Sequence, residues 1–121
     1  MTRLLIAALP SAAILALAAF LLVSPVLACQ MVTASYYGAE SGSRTANGER
    51  FTGRDMTAAH RTLPFGTKLR VTYQGKSVVV RINDRGPAKW TKRSLDLSTG
   101  AARKLGMIRA GVARVCVERV G

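Results

Sequence analysis

The sequence predicts a mainly β protein, a small closed barrel with little helix, and three observations carry that prediction. Short segments alternate apolar and polar side chains with a period of two, as in Thr67 to Tyr73 and Val112 to Val120. Gly-rich or polar stretches separate them, and only the region around Ala101 to Leu105 has helical spacing. Large aromatic side chains are few. Short strands of this kind close on one another as a barrel, which removes sheet edges, in preference to a sandwich or a parallel α/β sheet.

Residues 1–28 stand outside that fold. Arg3 precedes an apolar stretch from Leu4 to Leu22, and Val26-Leu27-Ala28 sets small residues at a cleavage spacing, the pattern of a secretory signal peptide. The stretch is also long enough for a membrane span of about 20 residues. Pro10 within it and Ser24-Pro25 after it speak for cleavage over a retained anchor. Residues 29–121 then make a single domain that buries roughly 60 to 65% of its unfolded surface, with no room for a second.

Seventeen basic and six acidic residues remain there, a net charge of +11. Such a surface attracts polyanions. Export disfavours nucleic acid as the partner and favours an envelope polymer carrying carboxylates or phosphates. The same charge would also serve solubility alone. Cys29 and Cys116 are the only cysteines, and an exported pair points to a disulfide. The competing reading is lipidation, since Val26-Leu27-Ala28-Cys29 resembles a lipobox with an uncommon Leu27. Contact with a membrane is expected only in that lipidated case.

Along the domain, Val32 to Tyr37 has the β-branched and aromatic content of a strand, and Gly38 to Asn47 forms a polar loop. Thr67 to Tyr73 puts Leu69, Val71 and Tyr73 on one face; Ser77 to Asn83 follows Gln74-Gly75 as the second arm of a hairpin. By period two, Val78, Val80, Ile82 and Asp84 share a face, which brings Asp84 to the rim of the buried side. Ser94 to Leu97 forms a short strand. Ser98 or Thr99 then caps a helix through Ala101, Ala102 and Leu105 that Gly106 stops. Val112 to Val120 ends the chain, with Ala113, Val115 and Val117 inward.

The six carboxylates can be sorted individually. Asp96 alternates with two leucines in Ser94-Leu95-Asp96-Leu97-Ser98 and reads as a structural acceptor; Glu118 pairs with a neighbouring arginine; Glu40 and Asp55 are solvated loop residues. Glu49, on the Asn47-Gly48 turn ahead of Phe51, and Asp84 remain as candidates. By itself Glu49 reads as a surface residue. His60 is the only histidine, so no multi-histidine metal site exists. No Ser/His/Asp spacing, zinc-ligand spacing or phosphate loop is present. A carboxylate pair is one of the few enzymatic options left, and no cofactor or metal is expected.

The stretches "ASYYG", "RTANGERF", "TAAHRTLPFGTKLRV", "VVVRINDRGP", "DLS" and "LGMIRAGVARV" come in the order and spacing of the rare lipoprotein A family, the septal-ring lytic transglycosylases, which this chain resembles from Ala34 to about Glu118. The resemblance implies a six-stranded double-psi β-barrel with one or two short helices over residues 29–121, a fold shared with expansins and barwin-like proteins. It also implies cleavage of the MurNAc–GlcNAc bond of peptidoglycan, in glycan stripped of peptide stems, leaving a 1,6-anhydro end. The family's active residues correspond to Glu49, His60 and Asp84. Asp84 would act as acid and then base, Glu49 would face it across the groove, and His60 would orient one of them by hydrogen bond.

Tyr37, Asn47, Arg85 and Trp90 are candidates to line the groove, as aromatic faces pack on sugars and amide or guanidinium groups bond their substituents. Arg81 and Arg85 should point away from Asp84 or toward substrate. An inverting hydrolase is a rival reading. The aspartate that barrel endoglucanases carry after their aromatic pair is missing, since Gly38 follows Ser35-Tyr36-Tyr37. A second rival is an expansin-like module that binds or loosens wall polysaccharide without cutting it, and a barwin-like defence or inhibitor protein is a more distant one. The expected protein is a monomer of the periplasm or cell envelope, acting on peptidoglycan strands and not on nucleic acid.

Overall fold

Six strands close on themselves in the computed structural model, which describes residues 29–121; the expected signal peptide lies outside the described residues. The strands are β1 (Gln30–Tyr37), β2 (Thr57–Ala59), β3 (Lys68–Tyr73), β4 (Lys76–Asp84), β5 (Leu95–Ser98) and β6 (Ala113–Arg119), with helix α1 (Thr99–Leu105) before the last. Around the barrel they run β1-β5-β2-β4-β3-β6. β1 and β5 are parallel, as are β2 and β4, and the other neighbours are antiparallel. Single 3-10 turns follow β1 at Ala39–Ser41 and β4 at Lys89–Thr91.

Period-two alternation builds the interior. Val71, Val80, Ile82, Leu95, Leu97 and Val115 are fully buried, joined from outside the strands by Leu105 and Met107. Each such side chain contributes about 1.5 to 3 kcal/mol on leaving water. α1 begins where the Ser98 side chain accepts a hydrogen bond from the Ala101 amide at 3.1 Å, and ends at Gly106, whose φ of 73° is left-handed. Its Ala101, Ala102 and Leu105 pack on the core.

Strict alternation fails at one place, and it matters for the site. Ala58 pairs with Ile82, but the next residue, Ala59, pairs with Asp84, so β4 carries one extra residue at Asn83. This bulge resets the phase. Asp84 does not follow Ile82 onto the buried face, as alternation alone predicts. It turns instead to the face shared by Ala59.

Cys29 and Cys116 are joined in a disulfide, their Cα atoms 5.5 Å apart. The link ties the start of β1 to β6, where Gln30 already pairs with Val117 and Met31 with Cys116. A sulfur in this bond is not available for a lipid thioether, so the lipidated alternative does not describe this state.

Candidate active site

The site is built where the loop between β1 and β2 folds back on β4. Tyr37, at the end of β1, stacks on Phe51 with ring centroids 4.7 Å apart and planes within 4°. The Asn47 amide donates to the Asn83 carbonyl at 3.2 Å, which pins the loop to the bulge. Asp84 lies under that junction. Its Oδ2 accepts from the Tyr37 hydroxyl at 2.8 Å, and its Oδ1 accepts from the amides of Ala46 (2.8 Å) and Arg85 (2.9 Å). All three partners are donors, so both oxygens of the carboxyl group serve as acceptors. Burial and then the hydrogen bond to Asp84 push the Tyr37 phenol well above its ordinary range, so it remains a donor.

Glu49 occupies a different niche of the same loop. Arg81 grips it with both terminal guanidinium nitrogens, at 2.5 and 2.9 Å, while Asn47 and Asn83 add amide donors at 2.9 and 3.1 Å. The Arg81 hydrogen bonds foremost, then those of Asn47 and Asn83, hold its carboxyl down at about 2. Such a group stays ionised with its charge compensated. Its link to Asp84 runs through Asn83, the neighbouring residue, and not through a direct hydrogen bond.

His60 follows β2, and its backbone amide donates to the Asp84 carbonyl at 3.2 Å. Its ring turns elsewhere. Nδ1 accepts from the amides of Thr62 (3.1 Å) and Leu63 (3.0 Å), which places the ring proton on Nε2. Burial, with Arg61 and Arg85 nearby, lowers its proton affinity. Among the described residues its side chain bonds neither carboxylate, contrary to the expected orienting hydrogen bond. His60 lines a cavity of about 240 Å³ at the barrel end with Gln30, Val32, Ser94, Leu95 and Arg119.

The four expected groove residues separate into two kinds. Asn47 is engaged within the loop, as Oδ1 accepts from Thr45 and from the Glu49 amide. Arg85 points away from Asp84, donating to the carbonyls of His60 and Leu63 while lying over the Phe65 ring at 3.9 Å. Tyr37 presents one ring face to Phe51 and its hydroxyl to Asp84. Trp90 alone is free, 85% exposed on the turn after β4 between Lys89 and Lys92. No group of three or more His, Cys, Asp or Glu side chains capable of holding a metal occurs among the described residues.

Sequence reasoning did not single out Arg81 and Asn83 as the partners of Glu49, or the Ala46 amide as a donor to Asp84. Arg81 alternates with Ile82, which signals an outward side chain but not where the 45–51 loop lands. Asp96 read as a structural acceptor, and its Oδ1 does accept from the Ser35 hydroxyl at 3.0 Å. Burial, however, raises its proton affinity despite that bond and despite Arg93.

The chain matches the family model described as lytic transglycolase over residues 30–117. It is 61% identical over 94 residues to a probable endolytic peptidoglycan transglycosylase RlpA of Nostoc sp., covering 73% of this chain and 25% of that protein. To the endolytic peptidoglycan transglycosylase RlpA of Pseudomonas aeruginosa strain PAO1 it is 53% identical over 91 residues, 73% of this chain and 26% of that one. To that of Neisseria meningitidis serogroup B it is 46% identical over 94 residues, covering 75% and 39%. The chain thus spans about a quarter to two fifths of the length of these relatives. Among solved structures, the Streptomyces papain inhibitor superposes with a TM-score of 0.63 at 22% identity, covering 80% of this chain and 98% of that one. An expansin of Clavibacter michiganensis gives 0.61 at 23% identity, covering 77% and 50%. These two likenesses speak for the barrel alone.

Proposed function

This chain belongs to the lytic transglycolase family of barrels, and on that premise we propose that it cuts peptidoglycan glycan strands at the MurNAc–GlcNAc bond without water, leaving a 1,6-anhydro end. The observation that carries the reading is Asp84, a carboxyl group held by Tyr37, Ala46 and Arg85 on the face beside β2. Removal of the proton from the sugar's own 6-hydroxyl requires such a base, already oriented and with its cationic neighbours turned elsewhere. Arg81 is spent on Glu49 and Arg85 on the 60–63 carbonyls.

Glu49 then serves as the anchor of the loop that supplies the Ala46 amide, and His60 as the residue that fixes the turn after β2 and donates its amide to the Asp84 carbonyl. Tyr37 orients Asp84. Trp90 offers an open aromatic face to a sugar ring, with Lys89 and Lys92 beside it to draw in an acidic polymer. The protein acts as a monomer in the cell envelope, exported by residues 1–28 and folding over 29–121.

Sacculi stripped of peptide stems by an amidase test the proposal. The protein should release products whose mass shows anhydro ends, and far fewer from untreated sacculi. Asp84→Asn should lower turnover by about 100- to 10,000-fold while leaving adsorption intact, the usual worth of a positioned acid or base. Adsorption by the unaltered protein without release would favour a binding module, and reducing ends in place of anhydro ends would favour a hydrolase.

A further inference from the structure

The pairing registers bring a second carboxyl group to Asp84 from a strand that sequence reasoning treated as structural. Ser35 on β1 pairs with Asp96 on β5, Asp96 pairs with Ala59 on β2, and Ala59 pairs with Asp84 on β4. The chain neighbours Ala34, Leu95, Leu97 and Ala58 of the first three all belong to the core. Period two therefore turns Ser35, Asp96 and Ala59 to the face away from the core, and the bulge at Asn83 brings Asp84 to it as well; it is the face on which Tyr37, two residues beyond Ser35, reaches Asp84. Along the row only the methyl group of Ala59 stands between the two aspartates.

We infer that Asp96, not Glu49, is the second working carboxyl of the site, and that it carries the proton taken up by the departing sugar oxygen. This deepens the proposed function and rests on it. The proton count closes without water. Asp96, as the acid, gives its proton to the glycosidic oxygen as the bond from that oxygen to C1 of MurNAc breaks. The 6-hydroxyl oxygen of the same MurNAc forms the new bond to C1, and its proton passes to the Asp84 carboxylate. Exchange with solvent then returns one proton to Asp96 and removes one from Asp84.

The other candidates are poorly placed for that donation. Glu49 is held ionised by Arg81, and His60 has Nδ1 committed to two amides. Around Asp96, Ser35 bonds Oδ1 from β1, which leaves Oδ2 as the proton-bearing oxygen. Burial is the main influence raising its proton affinity, and Asp84 on β4 adds to it. The Ser35 hydroxyl and Arg93, just before β5, oppose them but do not prevail, and Tyr37 on β1 senses both aspartates.

Asp96→Asn separates a proton donor from a structural acceptor, because the asparagine carbonyl still accepts from Ser35. The variant should bind stripped glycan and melt like the unaltered protein, yet lose about 100-fold or more in anhydro-product formation. A variant that cuts within a few-fold of the unaltered protein overturns the inference. Ser35→Ala provides a second readout. Loss of the hydroxyl that lowers the Asp96 affinity should shift the alkaline limb of the pH–rate profile to higher pH, and an unmoved limb counts against the assignment. If the unaltered protein binds stripped strands but releases nothing, the cleavage reading itself fails and the acid role with it. Release that survives in Asp96→Asn removes the acid role alone.

Discussion

Glu49 shows how little a residue's identity says about its task until its partners are known. On the sequence it is a glutamate after an Asn-Gly turn; in the fold it is the anion of an Arg81 fork that ties the 45–51 loop to β4. That tie has a pH signature. The folded carboxyl sits at about 2 against an ordinary 4.5, so protonation favours the unfolded chain. The stabilisation is complete above the ordinary value and is lost as pH falls toward about 2. Melting temperatures measured from pH 6 to 2 should therefore drop more steeply for the unaltered protein than for Glu49→Gln, whose amide does not titrate. Parallel profiles would show that the ion pair adds nothing to the fold. His60 works in the same direction in a higher window, since its affinity is also lowered and its stabilisation fades as pH falls below the ordinary 6.5. Asp96 has the opposite sign, so neutralising it by amidation should not cost stability near neutral pH.

At the scale of elements, α1 offers a place where local preference and packing disagree. Gly100 lies inside the helix, where alanine is favoured by about 1 kcal/mol. A β-carbon there would lie 2.5 Å from the carbonyl oxygen of Arg54, and backbone has little room to yield. Overpacking of that kind typically costs about 1 to 3 kcal/mol, so it outweighs the propensity gain. Gly100→Ala should lower stability in urea unfolding, and a rise would mean the 53–55 loop moves freely. The contrast explains which elements were legible. The β3–β4 hairpin, α1 with its Ser98 cap and β6 declare themselves by period, turn residues and caps within one stretch of chain. β2 does not: Thr57-Ala58-Ala59 has neither the length nor the branched side chains of a strand, and it is one only because β4 and β5 flank it. The same non-local pairing creates the bulge at Asn83. Alternation within β4 thus brings Asp84 to the correct end of the strand but predicts the wrong face, and nothing local ranks Asp96 above an acceptor.

For the molecule as a whole, strand order was illegible because pairing across the barrel leaves no mark on period, whereas the linked motifs carried the architecture entire. The cysteines lie between these cases: two of them in a chain that reads as exported announce a bond, and the fold shows what the bond encloses. It joins residues 87 positions apart, so nearly the whole barrel lies within one covalent loop. In the chain-entropy account, a loop of that length stabilises by about 4 to 5 kcal/mol through restriction of the unfolded chain. A single small domain has a total of only about 5 to 15 kcal/mol, so the bond is a large share of it. Its position limits the consequence for the site. Cys29 precedes the β1 end that pairs with β6, while Tyr37 closes the other end of the strand beside Asp84. The double variant Cys29→Ser, Cys116→Ser should therefore lose about 4 to 5 kcal/mol in urea unfolding, yet cut stripped glycan at nearly the unaltered rate at temperatures where it stays folded. Equal stability with and without the bond would mean that the β1–β6 pairing alone restrains the seam. A folded but inactive variant would mean that the seam sets the geometry of Asp84 from the far end of β1.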